Sequence, residues 1–218
     1  PHAPEVIDVP PADSFRRPHR LSLAIRGVGG QGNLFFGKVL AQVAFLAGYD
    51  DRNILKGETH GMAQMGGPVI STFGCGEVFS PALVPGTANV LIAMEKAEVL
   101  RPGFLDLLEP GGTVLMADTR ILPHGLKPEA YPSDEAIAAQ LEGYRVVSVD
   151  VLSIALNLGD PKGRCANVAM LGVLSTLPPF DVVPEAVWLQ ALRGISRKPA
   201  LWDLNHAAFM AGRGMQKG

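Results

Sequence analysis

Three glycines near the start of the chain are spaced so that backbone amides can surround an anion. Gly27, Gly29 and Gly32 satisfy the pattern GxGxxG, and they separate an apolar segment (residues 21–26) from a segment of helical periodicity that begins at Asn33. In such a loop the first glycine permits a sharp turn, the second lets a ligand approach the backbone, and the third lets the helix pack on the strand. Amides at a helix start also attract negative charge. The spacing therefore predicts an anion-binding loop.

A second glycine-rich segment carries acid–base side chains. It reads GETHGMAQMGG over residues 57–67, and four of its eleven residues are glycine. That density indicates unusual backbone angles or the close approach of another chain. Glu58 and His60 form a candidate acid–base pair, because histidine titrates near neutrality and a carboxylate can orient it. The alternative is an imidazole that hydrogen-bonds within its own loop.

The glycine pattern leaves two other interpretations open. A nicotinamide or flavin site needs an acidic residue near the end of the second strand, where it takes the ribose hydroxyls. Asp50 and Asp51 lie at a suitable distance along the chain, but they are predicted at the start of that strand. The second interpretation is that the glycines serve only tight packing of the strand against the helix.

Metal-ligating side chains are few. Cys75 and Cys165 are too few for an iron–sulfur cluster or a zinc site, and Cys75 in an apolar strand is predicted to be inert. Glu58 and His60 offer only two ligands, and no other histidine has ligand spacing. The sequence therefore predicts no metal site in this chain.

Composition restricts the class of protein. The chain has 218 residues, of which 47% are hydrophobic and 18% charged, so part of its surface is expected to lie against a partner. A net charge of −2 gives no reason to expect nucleic acid, and no apolar run is long enough for a membrane helix. A reducing cytoplasm fits two cysteines. Residues 1–20, rich in proline, are interpreted as a linker or N-terminal extension from a longer polypeptide, and residues 21–218 as one domain.

Hydrophobic periodicity predicts alternating strands and helices. Strands are expected at residues 21–26, 53–56, 68–75, 89–93, 113–117 and 144–149, with 68–75 and 77–83 pairing as a hairpin. Helices are expected at residues 33–47, 96–108 and 136–141, and in several segments after residue 150; Pro102 must kink or split the helix at 96–108. The pattern predicts an α/β fold: an open, mostly parallel sheet with helices on both faces, Rossmann-like and three-layered, with a helical C-terminal part. Ligands bind such sheets at the carboxyl ends of the strands.

Several of these segments together resemble one family. GVGGQG after the first strand resembles the gamma subunit or domain of 2-oxoacid:ferredoxin oxidoreductases, and GETHGMAQMGGPVIS is closest to the branch of indolepyruvate oxidoreductase beta subunits. NVAMLGVLS and LWDLNHAAFMAGR are similar to late helices of that family. The resemblance covers about residues 21–213.

The resemblance implies a supporting part in the oxidative decarboxylation of a 2-oxoacid to an acyl-CoA. Thiamine diphosphate, Mg²⁺ and iron–sulfur clusters are then expected on partner subunits or domains, with ferredoxin or another protein as electron acceptor. It implies a coenzyme A phosphate at the glycine loop, held by Gly27, Gly29, Gly30, Gln31, Gly32 and Asn33. Glu58 and His60 would act near the partner's active site, and the interface with the partner would include Thr59, Met62, Gln64, Met65, Gly66 and Gly67.

One position departs from the family pattern. The family commonly has arginine where this chain has Met65, and methionine cannot pair with a carboxylate or a phosphate. The departure leaves open whether this member uses the same substrate and acyl acceptor as the rest of the family. Two rival functions remain beside the resemblance: a self-contained nicotinamide or flavin oxidoreductase, and a purely structural subunit.

Overall fold

The fold is a six-stranded sheet with helices on both faces, seen in a computed structural model that describes residues 6–28, 33–59, 68–122, 127–196 and 198–215. Its strands are β1 (Arg20–Val28), β2 (Ile54–Thr59), β3 (Pro68–Gly76), β4 (Ala88–Ala93), β5 (Leu108–Ala117) and β6 (Arg145–Val149). Its α-helices are α1 (Asn33–Leu46), α2 (Asp134–Gln140), α3 (Val151–Asn157), α4 (Ala166–Leu174), α5 (Glu185–Ile195) and α6 (Pro199–Gly214). The predicted α/β class is confirmed.

The sheet is mixed, with the strand order β2-β3-β1-β4-β5-β6. Strands β1, β4, β5 and β6 are parallel, whereas β3 runs antiparallel between β1 and β2. Parallel neighbours need crossover connections, and the chain provides them between β1 and β4, β4 and β5, and β5 and β6. The carboxyl ends of β1, β2, β4, β5 and β6 therefore lie along one edge of the sheet.

The sheet separates two hydrophobic cores, and successive side chains of β1 point alternately into one and the other. Leu21, Leu23 and Ile25 face the larger core, which contains side chains of α1, α3, α4, α5 and α6. Ala24 faces the smaller core, which contains side chains of α2 and of the short helical turns between β4 and β5. Because successive strand residues point to opposite faces, a buried run such as β4 supplies both cores at once.

Two predicted elements are wrong. Residues 77–83 form no strand, so the expected hairpin around Gly76 does not exist; β3 pairs with β1 and β2 instead. The segment 96–108 is not one helix but two short 3₁₀ turns, Lys96–Leu100 and Leu105–Leu107. Pro102 and Gly103, whose φ is +77°, separate these turns because neither continues a helix.

The described part of the N-terminal segment packs on the domain. The hydroxyl of Tyr49 donates a hydrogen bond to the carbonyl of Pro18 at 2.7 Å, and the guanidinium of Arg17 lies 5.5 Å from the centre of the Tyr49 ring. Val9 and Phe15 are partly buried against the larger core. The interpretation of residues 1–20 as a linker or extension stays a prediction. Within the described ranges no helix is long and apolar enough to cross a membrane.

Candidate functional site

The strands that lead into the two glycine-rich segments, β1 and β2, end at the same edge of the sheet, on either side of the start of β3. Strand β1 ends at Val28, which pairs with Pro68, the first residue of β3. Strand β2 ends at Thr59, which pairs with Ile70 of the same strand. Residues 29–32 and 60–67 are therefore connected to three adjacent strands at one sheet edge. This is the edge at which ligands bind in open α/β sheets.

The predicted site residues fall partly inside the described ranges. Gly27 is buried near the end of β1, and Asn33 is the first residue of α1. Glu58 is exposed on β2 and pairs with Ser71, while Thr59 is the last residue of that strand. The other predicted site residues lie outside the described residues: Gly29, Gly30, Gln31, Gly32, His60, Met62, Gln64, Met65, Gly66 and Gly67.

The acidic pair that a dinucleotide site would use lies at the opposite edge. Asp50 and Asp51 precede β2, a six-residue strand that spans about 20 Å. Asp50 accepts hydrogen bonds from the backbone amide and the guanidinium of Arg52, and these bonds lower the pKa of its carboxyl. Both aspartates are exposed; Asp50 caps a 3₁₀ turn and Asp51 is the first residue of that turn, so their role here is local. Their position at the start of the second strand is confirmed.

A buried ion pair supports the end of β1, and the sequence analysis missed it. The guanidinium Nε of Arg26 lies 3.1 Å from a carboxylate oxygen of Glu98, whose side chain is only 2% exposed. Arg101 binds the other oxygen of Glu98 at 3.0 Å, and Arg26 also lies over the ring of Phe104. Arg26 immediately precedes Gly27, so this cluster fixes the strand from which the glycine loop departs. Its sequence signal was the pair of glutamates in MEKAEVL, directly after a buried strand.

A second buried carboxylate lies at the carboxyl end of the neighbouring strand β4. Glu95 is 2% exposed and accepts hydrogen bonds from the hydroxyl of Tyr131 and the amide of Ile121. Burial raises the pKa of the Glu95 carboxyl, because the charged form loses its hydration. Burial and the adjacent Glu95 carboxylate also raise the pKa of the Tyr131 phenol. Glu95 thereby ties the segment after β5 to the end of β4.

Lys96 adds a cationic link beside Glu95. Its ammonium group lies 2.6 Å from Asp118 and 3.0 Å from Asp134, and these carboxylates raise the pKa of the amine. Arg120 binds Asp134 as well, at 2.5 Å, and its guanidinium lies 5.5 Å from the centre of the Tyr131 ring. The result is a charged network that holds β4, β5 and α2 together at the carboxyl edge.

The two cysteines lie in different elements and are buried. Burial raises the pKa of the Cys75 thiol in β3 to about 12, and that of the Cys165 thiol before α4 to about 11. Such thiols are poor nucleophiles near neutral pH. Among the described residues no three His, Cys, Asp or Glu side chains are grouped as metal ligands.

Comparison with known proteins identifies relatives over almost the whole chain. Residues 22–215 match the family model described as pyruvate ferredoxin/flavodoxin oxidoreductase. A relative from Archaeoglobus fulgidus, named indolepyruvate oxidoreductase subunit IorB, is 35% identical over 159 residues, which are 71% of this chain and 76% of the relative.

Solved structures share the fold at lower identity. Pyruvate oxidoreductase subunit PORC from Thermotoga maritima superposes with a TM-score of 0.65 at 20% identity, over 89% of this chain and 96% of that one. A 2-oxoglutarate:ferredoxin oxidoreductase from Magnetococcus marinus, solved with 2-oxoglutarate, coenzyme A and succinyl-CoA bound, superposes with a TM-score of 0.67 at 20% identity. That match covers 92% of this chain and 32% of the other.

Proposed function

Because this chain belongs to the pyruvate ferredoxin/flavodoxin oxidoreductase family, we propose that it is the gamma-type subunit or domain of a 2-oxoacid oxidoreductase complex. The complex oxidatively decarboxylates a 2-oxoacid to an acyl-CoA and passes the electrons to ferredoxin or another acceptor. The observation that carries the proposal for this chain is the register of β1, β2 and β3. In that register the ends of β1 and β2, from which the two segments leave, lie at the edge where open α/β sheets bind ligands, which supports the proposal.

We assign the glycine loop to a phosphate of coenzyme A. The residues proposed to hold it are Gly27, Gly29, Gly30, Gln31, Gly32 and Asn33. The loop connects the end of β1 to the start of α1, so the amides at the helix start are suited to an anion. The related complex from Magnetococcus marinus carries coenzyme A, which supports this choice of ligand.

The thiamine diphosphate with its Mg²⁺, and the iron–sulfur clusters, are proposed to reside on partner subunits or domains. This chain would then contribute binding and positioning and would not turn over substrate alone. Its Glu58 and His60 are proposed to reach the partner's active site. Glu58 supports this because it is exposed near the carboxyl end of β2, at the same edge of the sheet as the end of β1. Thr59, Met62, Gln64, Met65, Gly66 and Gly67 are proposed to contact the partner chain. Two buried, free cysteines are consistent with a reducing cytoplasm, which we propose as its compartment.

The substrate is proposed to be an aryl pyruvate such as indolepyruvate. The name of the 35%-identical relative and the GETHGMAQMGG segment support this class. Met65 stands where the family commonly has arginine, so a Met65→Arg variant would add a positive charge at the proposed interface. Comparing kcat/KM for indolepyruvate and pyruvate in the wild-type complex tests the substrate class. A preference for pyruvate would contradict it.

The proposed function is tested with Gly29→Val in the complete complex. A bulky side chain should block the approach of the coenzyme to the backbone, so the apparent KM for coenzyme A should rise at least tenfold. The half-reaction that precedes acyl transfer should change far less. The control is Gly194→Val on α5, where an added Cβ meets no atom within 4 Å. A folded Gly29→Val complex with unchanged coenzyme A dependence would contradict the assignment.

A further inference from the structure

A cavity at the carboxyl ends of β4, β5 and β6 contains none of the residues assigned to the function proposed above. It measures about 510 Å³ and is lined by Met94 after β4, by residues 119–121 after β5, and by the start of α3 and α4. This volume lies in the range of small-molecule sites, and the carboxyl edge of a parallel sheet is where such sites form. Met94 also donates its backbone N–H to the carbonyl of Arg26 at 2.8 Å. The cavity therefore adjoins the end of β1.

The charged side chains that line the cavity are all cationic. They are Arg120, Lys162 and Arg164, and no Asp or Glu of the described chain is among the lining residues. Two of these cations are paired with carboxylates: Asp134 binds Arg120, and Asp160 binds Arg164 at 3.1 Å. Asp118 and Asp150 directly precede lining residues along the chain, and Asp118 binds Lys96. Lys162 has no ion pair among the described residues. The lining thus carries three positive charges in a chain whose net charge is −2.

The two arginines keep most of their hydrogen-bond donors available. Arg120 donates to Asp134 through one terminal nitrogen, and Arg164 donates to Asp160 through Nε. Because a guanidinium has five N–H groups, each retains donors with the geometry that matches a phosphate. Asp134 is shared with Lys96, which also pairs with Asp118, so this carboxylate does not neutralise Arg120 alone.

Hydrogen bonds to Glu95 and Lys96 hold the part of the cavity wall formed by residues 119–121. The amide of Ile121 and the hydroxyl of Tyr131 both bind the buried carboxylate of Glu95, and the amide of Lys96 binds the carbonyl of Thr119 at 3.0 Å. These contacts fix residues 119–121 against the end of β4. A fixed wall lowers the entropy lost when a ligand binds.

The remaining lining offers an apolar surface and one acceptor. Met94, Ile121, Val151 and Leu152 supply the apolar part. Asn167 also lines this region, and its Oδ1 atom is buried without a hydrogen-bond partner among the described residues. A buried acceptor without a partner costs about 1–3 kcal/mol, which a ligand N–H or O–H would relieve.

We propose that this cavity binds the phosphate group of an organic phosphate whose apolar part packs on Met94, Ile121 and Leu152. Arg120 and Lys162 contact the phosphate, and Asn167 accepts a hydrogen bond from the organic part. This phosphate belongs to one of two ligands, which the experiment below distinguishes. The first is a coenzyme A molecule that also occupies the glycine loop and supplies its 3′-phosphate; the second is a separate phosphorylated metabolite.

The test is a calorimetric titration of the full chain with inorganic pyrophosphate at low ionic strength. Saturable binding is expected, and the double variant Arg120→Gln/Lys162→Gln should weaken it at least tenfold. The single variant Lys162→Gln, which breaks no ion pair of the described chain, should weaken it several-fold. The control Arg16→Gln/Arg145→Gln removes two positive charges from exposed positions outside the cavity and should change the affinity by less than twofold.

Two results would overturn the proposal: no saturable binding to the wild-type chain, or an equal loss of affinity in the control variant. Titration with coenzyme A and with 3′-dephospho-coenzyme A then separates the sources. A loss confined to coenzyme A in the double variant identifies the 3′-phosphate. Unchanged binding of both coenzymes, with pyrophosphate binding lost, identifies a separate metabolite. If the wild-type chain binds pyrophosphate but not coenzyme A, that result contradicts the proposed function and still supports the phosphate site in this cavity.

Discussion

Gly172 of α4 and Gly212 of α6 each lie against the backbone of the opposite helix. A Cβ atom built on Gly172 would stand 2.1 Å from the carbonyl oxygen of Phe209, and one built on Gly212 would stand 2.0 Å from that of Ala169. Contacts below 3.0 Å with backbone atoms cannot be relieved by a side-chain movement. The two helices, which form part of the larger core, can therefore approach this closely only because both positions are glycine.

Gly212→Ala is expected to lower the free energy of unfolding by about 1–3 kcal/mol, the typical cost of overpacking a well-packed core. The reason is that α6 must move away from Ala169. Chemical denaturation of the full chain measures the effect. Gly194→Ala on α5 is the matched control, because its Cβ would meet no atom within 4 Å. That change should be neutral or stabilising by up to about 1 kcal/mol, since alanine favours a helix over glycine. Equal effects at both positions would contradict the close packing.

Glu95→Gln is expected to change how stability depends on pH. The pKa of Glu95 is raised by burial, so the folded protein keeps this proton at pH values where the unfolded chain has released it. The free energy of unfolding of the wild type therefore falls, relative to the glutamine variant, as pH rises from the ordinary value of 4.5 through the raised pKa. Below that window the difference is constant.

Urea denaturation of both proteins between pH 4 and pH 8 measures this difference. Glutamine can still accept the hydrogen bond from Tyr131, so the variant isolates the charge from the contact. Glu142→Gln is the comparison for an unburied carboxyl, because Glu142 is exposed and lies two residues after the end of α2. A pH-independent difference between wild type and Glu95→Gln would contradict the burial effect.

Cys75 and Cys165 are expected to resist alkylation in the folded chain. Burial raises the pKa values of these thiols to about 12 and about 11, so little thiolate exists at pH 8. Iodoacetamide treatment followed by intact-mass analysis should show unmodified protein in buffer and two added groups in denaturant. Rapid labelling of the native protein at either cysteine would show that the thiol is accessible.

His60→Ala distinguishes a catalytic interface from a self-contained loop. If His60 acts at the partner's active site, the melting temperature of the chain should stay nearly unchanged while turnover of the complex falls by about 100-fold or more. If it only hydrogen-bonds within its loop, the chain should lose about 1–3 kcal/mol and activity should fall only with folding. Both quantities are measured on one variant, with His19→Ala, an exposed histidine elsewhere, as the control. Normal turnover per folded complex would reject the interface assignment.

Local patterns in the sequence determined much of this protein. The buried run at β4, the period of α1 and the left-handed Gly48 that ends it were all readable from neighbouring residues, because strand and helix periods repeat within a few positions. The order of strands and helices then predicted the α/β class. The family was recognised from the two glycine-rich segments and from later helical segments, and the family match over residues 22–215 confirms it.

Tertiary structure decided the rest, because it depends on contacts between residues distant along the chain. Periodicity identified residues 68–75 as a strand, but only the sheet showed that β3 lies between β1 and β2 and does not form a hairpin with residues 77–83. Glu95 and Tyr131 are 36 positions apart, and nothing local in either segment indicates their hydrogen bond. The cationic cavity likewise joins residues after three separate strands. Side chains from such segments meet only when crossover connections bring the strand ends to one edge of the sheet.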